Sequence, residues 1–318
     1  MAKKKRPAIL KEIEAYKVAA VDYAKGQKNI SYSQISMFHR CPHSWKLNYK
    51  DKLQVYKDSI HTSFGSSFHS VIQEYYERFY NVSVKAAEEL DVEELLRDEM
   101  KKNYVIGKER NGEHFSTPKE LLEFYNDGVE ILREWKRKKG SFIQKRGWHL
   151  AGIEIPLMIT PEEEYKNVLF KGFIDAVLYH EETETFRIVD FKTSTRSWSK
   201  SKKKDVMTQN QLILYKEFFS RQFNVPKENI EVAFVIVKRK IYADSDFPQP
   251  RISEFSPASG PIKTKKAIAV VKEFIEGCFE KDGSYKEREF EMRSSQSNCR
   301  FCAFADHPEL CSRGKKSK

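Results

Sequence analysis

Apolar residues in the first 139 positions recur at spacings of three and four, which is the period of a helix with one buried face. This pattern predicts helices at 8–24, from Ser33 to Tyr49, and at 62–80, 84–106 and 117–139. The last of these opens on Thr117-Pro118-Lys119-Glu120, a capping box with proline at the first helical position. The first half of the chain is therefore predicted to be helical.

The second half changes to the period of strands. Residues 148–159, 166–180, 185–192 and 230–237 are rich in β-branched and aromatic types, and helical spacing returns only at 205–222 and 262–281. A helical N-terminal part, followed by strands with a helix crossing between them, indicates an α/β or α+β fold with a mixed sheet flanked by helices.

Two of the predicted strands form a hairpin around the polar stretch Glu181 to Thr185. A hairpin centred on its middle residue brings Asp175 and Asp190 within one residue of direct opposition, about 5 Å apart across the strands. Because side chains alternate along a strand, Asp190 and Lys192 share one face, whereas Phe191 points to the other and can pack.

These charges predict a divalent metal site. Two unpaired carboxylates at that distance raise each other's pKa, and a cation between them removes the repulsion. Hard oxygen ligands suit Mg²⁺ or Mn²⁺. Beside such a metal, Lys192 can orient or deprotonate a water for attack on phosphorus. An isolated Asp-x-Lys is more often ordinary surface charge; the upstream Gly172-Phe173-Ile174-Asp175 favours catalysis here.

Three residues on predicted helices can support this site. Gln211 and Tyr215 lie four residues apart, so they share a helix face and can hydrogen-bond a phosphate or the catalytic lysine. His69 lies near the apolar stripe of its helix, where a histidine is more often a core residue. Its neutral imidazole can nevertheless complete a metal site.

The charge balance favours a polyanionic partner. The chain has 57 Lys and Arg against 46 Asp and Glu, a net charge of +11, which is typical of proteins that bind nucleic acid. Four lysines directly follow the Lys192 strand, and they form either a solvated loop or phosphate contacts at the mouth of the site. They are Lys200, Lys202, Lys203 and Lys204.

The sequence also predicts where the chain resides. It has no run of about 18 apolar residues, and its basic N-terminus lacks the apolar core of a secretory signal, so we expect no membrane association. We expect a cytoplasmic location, in the host cell if a phage encodes the chain. In that reducing compartment, five cysteines favour metal or redox chemistry over disulfides.

The motifs in this order resemble the RecB-like branch of the PD-(D/E)XK nucleases, over roughly residues 30–311. That family has Gly-x-x-x-His, Gly-x-x-Asp, Asp/Glu-x-Lys and Gln-x-x-x-Tyr motifs. Here they stand as Gly65 to His69, Gly172 to Asp175, Asp190 to Lys192, and Gln211 to Tyr215. The resemblance implies a restriction-endonuclease-like sheet. It also implies metal binding by His69, Asp175 and Asp190, catalysis by Lys192, and a site lined by Gln211 and Tyr215. Ile174 stands where a PD motif has proline, a departure that is common in this lineage.

The cysteine pattern resembles the iron–sulfur nucleases, such as AddB-type subunits and RecB-type CRISPR-associated nucleases. The resemblance implies that four cysteines hold a [4Fe–4S] cluster joining the two ends of the domain. They are Cys41, Cys299, Cys302 and Cys311. Thiolates suit iron–sulfur or zinc, and a clip that closes so long a loop restricts the unfolded chain. Structural Zn²⁺, with the four cysteines or with His307 replacing one, is the alternative. Cys278 is expected to be a buried bystander.

The resemblance therefore implies a Mg²⁺- or Mn²⁺-dependent deoxyribonuclease, acting as an exonuclease on single-stranded DNA or DNA ends in recombination, repair or replication. No phosphate-binding loop of a helicase motor is recognisable, so the chain is expected either to act on free or single-stranded DNA ends by itself or to use a partner, such as a helicase or single-strand-binding protein. The alternative is a non-catalytic, cluster-bearing DNA-binding subunit of a helicase–nuclease or recombination complex. An RNA-directed nuclease is a third option.

The predicted domain organisation has three parts. A helical extension occupies residues 1–29, the nuclease domain spans 30–312, and a basic tail follows at 313–318. Within the nuclease domain we expect a helical insertion at about 81–147 and the cysteine tail at about 295–312.

Overall fold

The computed structural model describes residues 7–19, 27–53, 57–141, 143, 146–242, 247, 249–300 and 302–312. The predicted basic tail and the end of the first predicted helix lie outside these residues. The elements up to residue 141 are α1 (Ala8–Ala19), β1 (Lys28–Ile30), α2 (Tyr32–Arg40), α3 (Pro42–Trp45), α4 (Ile60–Glu77), α5 (Val84–Glu88), α6 (Val92–Asn111) and α7 (Pro118–Lys138). Those that follow are β2 (Trp148–Ile159), β3 (Val168–His180), β4 (Thr185–Ser194), α8 (Lys200–Lys204), α9 (Val206–Phe223), β5 (Ile230–Lys238), β6 (Ile252–Phe255), α10 (Pro261–Cys278) and α11 (Gln296–Cys299). Among the described residues, every helix is too short or too polar to cross a lipid bilayer.

The strands form one six-stranded mixed sheet, as predicted. Its order is β1-β3-β4-β5-β6, and β2 also pairs with β3. The pairs β1–β3 and β4–β5 are parallel, whereas β3–β4 and β5–β6 are antiparallel. Parallel neighbours need a crossover connection, and α8 and α9 provide it between β4 and β5.

The contacts divide the chain into two compact units, of which the first comprises Met1–Val18, Tyr56–Ile155 and Phe173–Ser259. Its core lies between the apolar stripes of the helices α4, α6 and α7 and one face of β3, β4 and β5. Phe68 of α4, Trp135 of α7 and Phe191 of β4 are fully buried there. Removing a side chain of this size from water contributes about 1.5–3 kcal/mol, so this core holds the helical half against the sheet.

The second unit comprises Ala19–Val55, Pro156–Gly172 and Gly260–Lys318. Its core is an aromatic cluster around the buried Trp45, whose ring centroid lies 5.5–6.1 Å from those of five other rings. Those rings belong to Phe38, Phe274, Phe279, Tyr285 and Phe290. Gly277 of α10 is required for this packing, because a Cβ there would lie 2.8 Å from the Phe38 ring. The cluster holds α2 against α10, which brings an early and a late segment of the chain together within this unit.

Two predicted helices are in fact broken. The prediction of one helix from Ser33 to Tyr49 was wrong, because Cys41 is extended at φ −157° and ψ 103°. Pro42 follows it, and a proline disfavours helical backbone at the preceding residue. The helix predicted at 84–106 likewise divides into α5 and α6, since Asp91 accepts hydrogen bonds from two amides of the first turn of α6.

Short elements such as β1, β6 and α8 were not predicted. The strands β1 and β6 have three and four residues, too few for an alternating pattern to be recognised. The lysine run after the Lys192 strand, for which a solvated loop was one of two interpretations, forms the short helix α8, Lys200–Lys204. Ser199 caps it by accepting a hydrogen bond from the Lys202 amide.

Candidate active site

The site lies in the first compact unit, where the hairpin of β3 and β4 opens. The ladder runs from His180↔Thr185 to Ala176↔Val189, so the next pair in the same register is Asp175 and Asp190. Ala176 and Val189 lie in the core. Because side chains alternate, both aspartates lie on the opposite face of the sheet. Centring the hairpin on the polar stretch predicted this register to within one residue.

Asp175 is held by contacts to its carboxylate oxygen Oδ2. This oxygen accepts a 2.6 Å hydrogen bond from the main-chain N–H of Phe191. His69 Nδ1 lies 3.6 Å from the same oxygen. The strand β4 and the helix α4 therefore meet at this carboxylate.

Asp190 is buried and is contacted by two side chains. Its Oδ1 accepts a 3.0 Å hydrogen bond from Gln211 Nε2 of α9. Its Oδ2 lies 2.7 Å from Lys192 Nζ in an ion pair, and among the described residues it accepts no regular hydrogen bond. Gln211 also donates to Tyr215 Oη at 3.4 Å. Gln211 of the α9 pair thus contacts the acidic residue and Tyr215 contacts Gln211, whereas the sequence had suggested that both bond a phosphate or the catalytic lysine.

The electrostatics of the two carboxyl groups favour a bound cation. Burial raises the pKa of Asp175 well above its usual range, and the neighbouring Asp190 charge raises it further. Burial also raises the pKa of Asp190, although the Lys192 ammonium opposes this shift. A second positive charge between the groups would stabilise their ionised forms.

The position of His69 is compatible with both roles that the sequence left open. Its ring packs edge-on against Phe191 with centroids 6.0 Å apart, as a core residue would. Its Nδ1 nevertheless faces Asp175 Oδ2. Burial and the Lys192 charge lower the pKa of His69 to about 4, so the imidazole is neutral at pH 7, the form that binds metals.

Two residues near the site were missed by the sequence analysis. Gln73, one turn after His69 on α4, donates a 2.5 Å hydrogen bond to Glu154 Oε1 and a 3.4 Å bond to the main-chain oxygen of Asp175. Glu154 is exposed on β2 with a left-handed backbone, φ +50°. The available signal was a single carboxylate in the apolar strand Gly152-Ile153-Glu154-Ile155-Pro156.

Aromatic rings and lysines form a series of contacts that begins at Lys192. Lys192 Nζ lies 5.8 Å from the Phe234 ring centroid, and the Trp198 ring lies 5.1 Å from that of Phe234. Lys202 Nζ lies 5.7 Å from the Trp198 ring, and Lys203 Nζ lies 5.6 Å from Phe255. Phe234 is buried, and we call the other five residues the aromatic–lysine surface. The other predicted lysines, Lys200 and Lys204, belong to the same short helix.

The four predicted cluster cysteines lie together in the second compact unit. Cys41, Cys299, Cys302 and Cys311 line one cavity, together with His43. The break at Cys41 is tied to the tail, since His43 N donates to Glu291 O at 3.0 Å and His43 Nε2 lies 2.8 Å from Leu310 O. Cys278 is fully buried elsewhere, and burial raises the pKa of its thiol, as expected of a bystander.

Neither the acidic residues of the hairpin nor the four cysteines are arranged as a complete metal site. Among the residues that the structure describes, no three His, Cys, Asp or Glu side chains converge as a metal-binding group. The donor chemistry nevertheless fits. Asp190 Oδ2 is a buried carboxylate oxygen without a regular hydrogen bond, and it faces the same end of the hairpin as Asp175. Four thiols around one cavity likewise suit a soft metal.

Comparison with known proteins gives one clear match. The sequence profile described as the PD-(D/E)XK nuclease superfamily matches residues 29–307. No curated protein matches the chain. Two solved structures each match over 95% of the chain. One is SSO0001, with 14% sequence identity, 95% of its own chain covered and a TM-score of 0.41. The other is a protein from Eubacterium rectale named "Putative exonuclease", with 12% sequence identity, 92% of its own chain covered and a TM-score of 0.46. Both TM-scores are below 0.5, so neither likeness supports an argument about function.

Proposed function

Because the chain belongs to the PD-(D/E)XK nuclease superfamily, we propose that it is a Mg²⁺- or Mn²⁺-dependent deoxyribonuclease that degrades single-stranded DNA from an end. The observation that supports this most directly is the arrangement of Asp175 and Asp190, with Lys192 Nζ 2.7 Å from the latter. Every position that the chemistry needs is filled by a competent side chain.

Each residue of the proposed site has a separate role. Asp175, Asp190 and the neutral imidazole of His69 would hold the divalent ion. When bound, that ion polarises the phosphate and lowers the pKa of water. Lys192 Nζ, fixed by Asp190 Oδ2, donates hydrogen bonds that orient the attacking water or the phosphate. Gln211 holds Asp190 Oδ1 so that the carboxylate keeps its orientation.

The aromatic–lysine surface supports a single-stranded substrate. Unpaired bases stack on aromatic rings while lysines neutralise phosphates, and a duplex offers no exposed base faces for stacking. Trp198 is half-buried against Phe234, so part of its ring remains accessible. In this proposal the strand passes over Trp198, with Lys200, Lys202, Lys203 and Lys204 beside its phosphates, and reaches Lys192.

The cysteine-lined cavity supports a [4Fe–4S] cluster with Cys41, Cys299, Cys302 and Cys311 as ligands. The zinc alternative with His307 is less favoured, because His307 does not line this cavity and its Nδ1 lies 3.0 Å from Glu309 Oε1. His43 lines the cavity, but its Nε2 already contacts a main-chain carbonyl. The proposed role is structural, since the cluster would clip together the two ends of the second unit.

One nuclease assay tests the main proposal. The purified chain is incubated with end-labelled linear single-stranded DNA, circular single-stranded DNA, duplex DNA and RNA, each with Mn²⁺, Mg²⁺ or chelator. We expect metal-dependent loss of the linear single strand and survival of the circle. The matched control is Asp190→Ala, which should bind DNA without cutting it. If the wild type binds DNA yet cuts nothing under any condition, the chain is the non-catalytic subunit instead.

A further inference from the structure

Glu154 has a backbone conformation that its position in a strand does not explain. Its φ of +50° lies in the left-handed region, which costs a non-glycine residue about 1–2 kcal/mol. The other described non-glycine residues with positive φ lie in loops, in the hairpin turn or at the end of a helix: Lys52, Glu184 and Asn224. Glu154 alone among them lies inside a strand.

The side-chain contact of Glu154 stabilises the fold by an amount comparable with this cost. Glu154 is exposed, and among the described residues its side chain has one hydrogen bond, from Gln73 Nε2, at the surface. A hydrogen bond to a charged acceptor contributes about 1.5–3 kcal/mol, and exposure to solvent reduces that contribution toward the size of the strain. Strained residues of this kind concentrate at functional sites, so stability is a poor reason for the glutamate.

Gln73 connects Glu154 to the two residues on which the proposed metal site depends. It lies on α4, one turn after His69, so a contact that holds Gln73 also holds the part of the helix that carries the imidazole. Its amide also reaches the main-chain oxygen of Asp175 at 3.4 Å. Glu154 on β2 therefore holds the Gln73 side chain, through which α4 contacts β3. This contact lies next to the pair His69 Nδ1 and Asp175 Oδ2, which are 3.6 Å apart.

We propose that Glu154 and Gln73 are positioning residues that set the spacing between His69 and Asp175, and thereby the affinity of the site for a divalent cation. The inference rests on the proposed function, because it takes His69 and Asp175 as ligands of the metal. Glu154 acts here as a hydrogen-bond acceptor for Gln73 and not as a ligand of the cation. Residues that orient metal ligands typically change metal affinity about 10- to 100-fold when they are removed.

The first test measures Mn²⁺ binding to the full-length chain without DNA, by electron paramagnetic resonance. Glu154→Ala and Gln73→Ala should each weaken Mn²⁺ binding about 10-fold or more. Glu154→Gln keeps the acceptor oxygen and should stay close to the wild type. At saturating Mn²⁺ all three should retain most of the wild-type kcat. If Glu154→Gln is as damaging as Glu154→Ala, the charge itself is required and positioning through Gln73 is wrong.

The second test separates this role from a structural one by thermal unfolding in chelator. Glu154→Gly relieves the backbone strain, so its Tm should equal or exceed that of the wild type although its Mn²⁺ affinity falls. Glu184→Gly is the matched control, because Glu184 has φ +52° in the hairpin turn and its replacement should leave Mn²⁺ affinity unchanged. A lower Tm for Glu154→Gly with unchanged Mn²⁺ affinity would contradict the inference. A wild type that binds no Mn²⁺ would instead refute the proposed metal site, and this inference with it.

Discussion

The carboxylate of Asp175 and the main-chain amide of Phe191 are joined by a 2.6 Å hydrogen bond. Asp175 Oδ2 thus binds the strand β4 at the residue between Asp190 and Lys192. The bond fixes the two acidic residues relative to each other at the place where the regular ladder has ended. A neutral amide oxygen could accept the same hydrogen bond, which gives a way to separate the charge from the geometry.

Asp175→Asn should fold normally yet lose cleavage. The asparagine retains an acceptor for the Phe191 amide but removes a ligand charge, so we expect activity to fall at least about 100-fold, because a catalytic metal contributes several kcal/mol. Burial and the Asp190 charge raise the pKa of Asp175, so its ionised form is unfavourable in the folded chain. In chelator at pH 7, the Tm of Asp175→Asn should therefore equal or exceed that of the wild type. A large loss of Tm would mean that the carboxylate is needed for folding.

Lys192→Ala should abolish cleavage and leave DNA binding nearly intact. The lysine contacts Asp190 Oδ2 at the centre of the site, so its removal affects chemistry more than overall attraction of DNA. Binding is measured by fluorescence anisotropy of a labelled single strand, and cleavage with the same strand. Lys272→Ala, on an exposed part of α10, is the control for the lost charge. Wild-type turnover by Lys192→Ala would refute the proposed site.

Cleavage should require Mg²⁺ or Mn²⁺ and stop in chelator. The same ions should raise the Tm of the wild type, since ligands that bind only the folded state stabilise it. Asp190→Ala should show no such rise. We would measure Tm across a Mn²⁺ titration and initial rates across the same range. Robust cutting in chelator would mean that the carboxylate pair has another role.

Cys41→Ala, Cys299→Ala, Cys302→Ala and Cys311→Ala should each reduce bound iron and sulfide to background after anaerobic preparation. Loss of the cluster should also lower the Tm, because its binding energy contributes to folding. Cys278→Ala is the matched control. Its buried thiol should be slow to alkylate, and its loss should cost only about 1 kcal/mol, as is typical of single substitutions. Bound zinc without sulfide would support the zinc alternative, and a cluster that survives Cys311→Ala would disprove the ligand assignment.

The double variant Lys202→Ala/Lys203→Ala should weaken binding of single-stranded DNA and make it less sensitive to salt. Each lost phosphate contact reduces the slope of log K against log salt by about 0.7 for a single strand, so the pair should reduce it by about 1.4. Anisotropy titrations in chelator at several salt concentrations measure this slope. Lys265→Ala/Lys266→Ala, two exposed lysines of α10, should leave it unchanged. An equal effect of both pairs would show that the attraction is general and that α8 is not a specific contact.

The parts of the site that follow from local pattern could be predicted from the sequence. The alternation of Val189, Asp190, Phe191 and Lys192 assigned each side chain to its face, and the polar turn determined the register. The break at Cys41 was also encoded locally, in Pro42, but the apolar spacing on both sides suggested one continuous helix. Here the proline was the stronger signal.

Glu154 could not be predicted in the same way. Its left-handed backbone and its contact with Gln73 join residues 81 positions apart, so no window of sequence contains both. The contacts between the Cys41 turn and the tail join residues still farther apart, since His43 and Leu310 are separated by 267 positions. They follow from the aromatic packing around Trp45, which only the folded structure reveals.

The crossover between β4 and β5 limits where insertions into this chain can be tolerated. The parallel pairing makes some crossover obligatory, and the helix α9 that serves as the crossover also supplies the amide that orients Asp190. Topology and catalysis therefore constrain the same segment, and insertions within it should be poorly tolerated. The hairpin turn at Glu182 and Thr183 is exposed and lies at the far end of the ladder from the aspartates. It is the place where evolution, or an engineer adding an epitope tag, can lengthen the chain without disturbing the site.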